Sequence, residues 1–393
     1  MMDSSIHGYV DEGFEKVRTA FENNFRLNLE YGAACTIYYK GKKVVDLWGG
    51  YSDFKARIPW LEDTIVPVFS TTKGISSLAI AHAVSNKYFS YDDKVADVWK
   101  AFAQNGKEDI TIRQLLSHQA GLCALDRMID EKIIENAEIL SDLLAVQKPE
   151  WTPGDKQGYH CWNLGWYQSE LIRKSDPQKR TLGRYFKQEI ADVLGLDFYI
   201  GLPDNIDAEK IATLKSFSKA LMPIKMPLGL VLSFFNPKSI VSRAMGNPKF
   251  LLNHHNLNDR KYQKLEIGSG NGIGNARSIA KLYNEFVTGG KNLNISQSVL
   301  QALEEKPVLP RIDTKDLVLH LEIPFSLGFM KPCKALPFGS SSSAYGFWGA
   351  GGSCGFADPE TEVAYSYVMN KMGGEMFSDP REKSIRDAFY DCI

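Results

Sequence analysis

Strand-like segments lie near both ends of this 393-residue chain, and almost none lie between them. Near the start, residues 34–39 and 43–48 read as extended apolar runs. The Lys40-Gly41-Lys42 step between them suits a hairpin. Extended segments return around residues 317–321, 345–356 and 362–369. From residue 92 to about 290 the pattern is helix-like or loop-like. A lone hairpin is marginal in water, because one face and both edges go unsatisfied. The two sets of strands are therefore expected to meet in one antiparallel sheet, with a mostly helical lobe inserted between them. That is an α/β (α+β) arrangement in a single domain of two lobes. Residues 1–91 and 290–393 form the sheet lobe, and 92–289 the helical lobe. Helices should flank the sheet. Val10, Phe14, Val17, Phe21 and Phe25 recur at helical spacing, and residues 380–390 read as a closing helix.

Composition narrows the partners. Hydrophobic residues at 44% and charged residues at 24% suit a globular chain with a large core. A formal net charge of -1 creates no strong field, so nucleic acid and anionic membranes are not default partners. The opening stretch carries Asp3, Asp11, Glu12 and Glu15 without an apolar run, unlike a secretory or transit peptide. The longest apolar run, 226–235, is broken by Pro227, Gly229 and Ser233 and is too short to span a bilayer. Six cysteines, at 35, 123, 161, 333, 354 and 392, form no CxxC pair, and reduced thiols in a cytoplasmic protein are expected. His254-His255 has no third ligand at a convincing spacing, so neither a metal nor another cofactor is expected. The segment 221–250, with Met222, Met226, Leu228, Leu230, Val231, Leu232, Phe234 and Phe235, reads either as core or as an apolar flap.

Three short motifs could carry chemistry. Ser70-Thr71-Thr72-Lys73 places a lysine nearly one helical turn after a serine, so the amine can reach the hydroxyl. A free hydroxyl is a poor nucleophile at neutral pH and needs an adjacent base. A lysine serves as that base once burial or nearby positive charge lowers its pKa. The helix start adds a field, and a backbone N–H, that favour a developing oxyanion. Taken alone, the same four residues also suit a solvated helix start. The turn Trp151-Thr152-Pro153-Gly154 leads to Tyr159, which could shuttle a proton or simply pack on its own loop. The run Phe347-Trp348-Gly349-Ala350-Gly351-Gly352-Ser353 offers either a strand open to close backbone approach or a glycine-rich edge.

Together these motifs, in this order, resemble the serine β-lactamase-like (penicillin-recognising) superfamily, especially its class C β-lactamase and family VIII esterase branch. The resemblance runs from about Phe14 to Phe389 and includes the Thr111–Leu122 and Gly272–Leu282 segments. It implies a nucleophile at Ser70, a base or proton relay at Lys73, and a second-motif tyrosine at Tyr159. It also implies an oxyanion hole from the backbone N–H groups of Ser70 and Ala350, with Phe347, Trp348 and Gly349 against the substrate. Two departures stand out. The second motif reads Tyr159-His160-Cys161 where the family has Tyr-x-Asn, and Asn163 is two places off. Phe347-Trp348-Gly349 stands where β-lactamases carry Lys-Thr-Gly, which removes a cation.

The expected activity is therefore hydrolysis of a small ester or amide through an acyl-enzyme. A catalytically silent binding or structural protein on the same fold, and a true β-lactamase or peptidase, are the alternatives. Ser353, in Gly351-Gly352-Ser353-Cys354-Gly355, mimics a nucleophile elbow but lacks the strand-to-helix context. His82 and His118 are expected to be structural.

Overall fold

The two sets of strands meet in the computed structural model, which describes residues 5–217 and 228–393. Strand β1 (Ile6–Val10) leads into helix α1 (Glu15–Arg26) and the hairpin β2 (Gly32–Tyr39) and β3 (Lys42–Asp53). The central region includes helices α2 (Thr71–Ser85), α3 (Leu164–Ser175), α4 (Leu228–Phe235), α5 (Ile240–Met245) and α6 (Ala276–Val287). Strands β4 (Tyr345–Trp348), β5 (Cys354–Asp358) and β6 (Val363–Met369) precede the closing helix α7 (Pro380–Tyr390).

The main sheet is antiparallel, in the order β1-β3-β2-β6-β5-β4, extended by the short pair Phe325–Ser326 and Phe329–Met330. Its central seam joins β2 to β6, from Ala33 opposite Met369 to Tyr39 opposite Val363. β6 is buried along its whole length. Such a strand needs cover on both faces. The α7 residues Ile385 and Phe389 are fully buried, and Phe389 stacks on Phe14 at 5.5 Å. On β5, a methyl group added to Gly355 would overlap Ile279 and Tyr283 of α6. A helical-lobe boundary at 289 would therefore separate the sheet from one of its own covering helices. Helix α2 is buried from Thr71 to Ala83 and so has no polar stripe. It runs through one hydrophobic cluster that extends from Val17 to Phe389.

Three local expectations change. Val10 belongs to β1 rather than to the first helix. Residues 345–356 form two strands broken by the turn at 349–353. Residues 317–321 form a turn, not a strand, because Asp316 Oδ1 accepts from the N–H groups of Val318 (2.9 Å) and Leu319 (2.8 Å). A side chain that bonds its own backbone two and three residues on competes directly with a sheet ladder.

Residues 221–227 lie outside the described residues. The rest of the 221–250 segment divides by position: Leu230 is buried, whereas Leu232 and Phe235 of α4 are exposed. Among the described residues no helix is long and apolar enough to cross a membrane.

Candidate active site

Ser70 stands at the N-cap position of α2, and its hydroxyl makes no capping bond to the helix. The residue before it, Phe69, has φ of 48°, a left-handed conformation costly for a bulky side chain. The surroundings hold it there. Phe69 is buried, its carbonyl accepts from the Thr72 N–H (3.0 Å), and Val68 N–H donates to Gly272 O (2.9 Å). The outcome is a hydroxyl at a fixed place on the first turn of a buried helix.

One turn on, Lys73 Nζ lies 3.3 Å from Ser70 Oγ, 2.6 Å from Cys161 O and 2.8 Å from Ser269 O. The amine is fully buried, and burial pulls its pKa down to about 7. A neutral amine has two N–H groups and one lone pair. Two carbonyls take the N–H groups, which leaves the lone pair for the serine hydroxyl.

Tyr159 donates its O–H to Ser70 Oγ at 2.9 Å. Burial holds its phenol pKa well above the ordinary value, so at neutral pH the group is a proton donor. Its ring stacks on Phe325 (5.9 Å) and Phe347 (6.2 Å) and packs on His118 (5.2 Å). Its backbone N–H is bonded to Asp316 Oδ1 at 3.1 Å.

Alternation along β4 separates two residues expected side by side at the site. Phe347 faces it, with Lys73 Nζ 5.6 Å from the ring centroid. Trp348 points the other way, onto Phe338 (4.5 Å) and Phe356 (5.9 Å), and does not reach Ser70. Phe347 is itself fully buried, so its ring backs Tyr159 and Lys73 instead of forming an open wall. Gly349 is required by proximity, because a Cβ there would sit 2.2 Å from Val68 O. That closeness brings the end of β4 against the loop before Ser70. Ala350 follows on an exposed turn. Among the described residues, neither its backbone N–H nor that of Ser70 has an acceptor.

The remaining polar candidates have other roles. Ser353 Oγ is buried and bonded to Val68 O (2.8 Å) and Thr71 Oγ1 (3.0 Å), which ties β5 to the loop before α2. Asn163 donates to Leu122 O at 2.6 Å. Cys161 occupies the position of the missing asparagine, and burial pushes its thiol up to about 11. His82 is buried against the Tyr185 hydroxyl at 2.7 Å. His118 Nδ1 accepts from His160 N–H at 3.0 Å, and burial keeps both imidazoles neutral. Three contributors had no sequence signal: the carbonyls of Cys161 and Ser269, and the Phe325 ring. Asp316 had a faint one, as an acid directly before the apolar run Leu317-Val318-Leu319.

The family profile described as Beta-lactamase matches residues 21–389. A family VIII carboxylesterase structure superposes with a TM-score of 0.87 at 32% identity, covering 99% of this chain and 100% of that one. A penicillin-binding protein homolog from Caulobacter crescentus superposes with a TM-score of 0.84 at 34% identity, over the same shares. Esterase/beta-lactamase LipL of Mycobacterium tuberculosis is 29% identical over 377 residues, 93% of this chain and 83% of that protein. The chain therefore belongs to the Beta-lactamase family, and it is a serine hydrolase on that fold.

Proposed function

We propose that Ser70 is the nucleophile of a carboxylic ester hydrolase that works through an acyl-enzyme. The observation that carries this reading is the convergence on Ser70 Oγ of a buried amine with a pKa near 7 and a neutral phenol. Lys73 takes the serine proton as Oγ attacks the carbonyl. The backbone N–H groups of Ser70 and Ala350 receive the oxyanion. Tyr159 protonates the departing alkoxide, and the proton held by Lys73 restores the phenol. Water then attacks the acyl-enzyme by the same route in reverse. The chemistry calls for no metal or organic cofactor. The substrate is a small ester or amide, with esters favoured by the named activities of the carboxylesterase and esterase/β-lactamase relatives.

A fluorophosphonate probe tests the assignment. Wild type should be labelled, Ser70→Ala should not, and Ser353→Ala should keep the label. Label on Ser70→Ala that disappears on changing Ser353 would move the nucleophile to Ser353. No adduct and no turnover in wild type would make the protein a silent member of the family.

The same site should prefer a neutral ester to a β-lactam. With the buried Phe347 at the position where β-lactamases carry a lysine, the third motif supplies no cation for a substrate carboxylate, and an unpaired charge in a dry site costs several kcal/mol. Each 1.36 kcal/mol is about tenfold in rate. kcat/KM for a short-chain aryl ester should therefore exceed that for nitrocefin, and equal values would defeat the argument. Phe347→Lys should narrow the ratio, at some loss of rate because the new ammonium lies close to Lys73.

A further inference from the structure

The segment that carries α4 and α5 combines two properties that surface segments seldom share. Its described part exposes large apolar side chains, and all of its formal charge is positive. Between Lys210 and Asp259 the sequence contains no aspartate or glutamate. Lys238 and Lys249, in its described part, are both exposed. Arg243 differs from them, being paired with Asp126 and Glu150 at 2.7 Å each. Leu232 and Phe235 are three residues apart and so share one face of α4, where they are 63% and 78% exposed. An exposed leucine and phenylalanine, with lysines in the chain beyond α4, combine the two terms that hold a segment on an anionic lipid surface: apolar area and local positive charge.

The position of this segment gives the pattern a use. Met245 O accepts from Trp162 Nε1 at 2.9 Å, next to Cys161, whose carbonyl holds Lys73. The ring of His254 lies 5.2 Å from that of Phe69, the residue before Ser70. We propose that the exposed face of α4, with Lys238 and Lys249, docks the protein on an anionic lipid surface and so brings the Ser70 site to that surface. The apolar side chains enter the boundary between headgroups and chains, while the lysines meet the headgroup charge. Across the whole chain the formal charge is only -1, so the attraction is local to this segment. Docking does not depend on the activity of Ser70, and a binding measurement tests it independently of the hydrolase reading.

The experiment is co-sedimentation of the full chain with phosphatidylcholine vesicles, with and without phosphatidylserine. Wild type should sediment with the anionic vesicles, far less with the neutral ones, and release as salt is raised. Each lysine near the surface is worth about fivefold in affinity, so Lys238→Ala/Lys249→Ala should weaken binding by roughly 25-fold. Leu232→Ser/Phe235→Ser should abolish it, while turnover of a water-soluble ester by both variants stays at the wild-type level. No sedimentation with either vesicle would overturn the proposal, as would equal, salt-insensitive binding to both. A dimer in size-exclusion chromatography that the Leu232→Ser/Phe235→Ser change dissolves would assign the face to a second copy of the chain and also overturn it.

Discussion

Lys73 owes its chemistry to where its carbon stem goes. The side chain runs into the core, so the amine meets two carbonyls and one hydroxyl, and no carboxylate pairs with it among the described residues. Desolvation then disfavours the ammonium form, and the proton leaves near pH 7. In the proposed role of base Lys73 works when neutral, so ester kcat/KM should rise with pH through about 7 and level off above it. A pH profile that is flat from 5 to 9 would exclude Lys73 as the base. Lys73→Met should lower kcat by about 10²–10⁴-fold, the usual worth of a positioned base. The pairing of Ser70 with Lys73 was legible in sequence because a helix fixes three-residue spacing. The acceptors that hold the amine were not, since any residue type at 161 or 269 supplies the same carbonyl.

At the scale of elements, the turn at 316–321 is the least expected part of the site and the one that sets Tyr159. Asp316 Oδ1 gathers three backbone N–H groups, from Tyr159, Val318 and Leu319, and so joins the second motif to a loop 157 residues downstream. Leu317 N–H also donates to Gln157 O at 3.0 Å, which makes the junction two-stranded. Asp316→Ala removes the shared acceptor and should lower kcat by about 10²-fold with little change in KM, the cost of misplacing a reacting group by roughly 1 Å. Asp316→Asn keeps an acceptor oxygen and should recover most of the loss. Equal losses in both variants would mean that the charge, not the geometry, matters. The terminal strands and α7 could be read from alternation and helical spacing. This turn could not, because its apolar run looks like a strand until the aspartate is seen to bond the backbone beside it. The opposite directions of Phe347 and Trp348 follow from strand alternation alone, and a motif aligned as a block of letters conceals them.

For the molecule as a whole, the decisive junction is where the first and last segments cross. Arg381 of α7 is buried between Glu30 (2.9 Å) and Asp379 (2.8 Å) and donates to Gly351 O (2.7 Å) and Lys371 O (2.7 Å). One guanidinium thus links the loop before β2, the end of β6 and the turn that presents Ala350. Removing one partner of a buried ion pair typically costs 3–5 kcal/mol. Arg381→Ala should lower stability by about that much in urea unfolding, and it should slow ester turnover as the Ala350 turn loosens. A change below about 1 kcal/mol would show that water replaces the guanidinium at little cost. The meeting of the two chain ends was legible from the distribution of strands, whereas the ion cluster that locks them was not, because Glu30 and Arg381 lie far apart in sequence. The seam between β2 and β6 also bears on biosynthesis. At a ribosome adding roughly 5–20 residues per second, β2 emerges tens of seconds before the partner it needs. Throughout that interval the newborn hairpin presents a bare, apolar edge to every other nascent chain nearby, so the yield of this protein in a cell should depend on chaperone supply more steeply than its finished stability suggests.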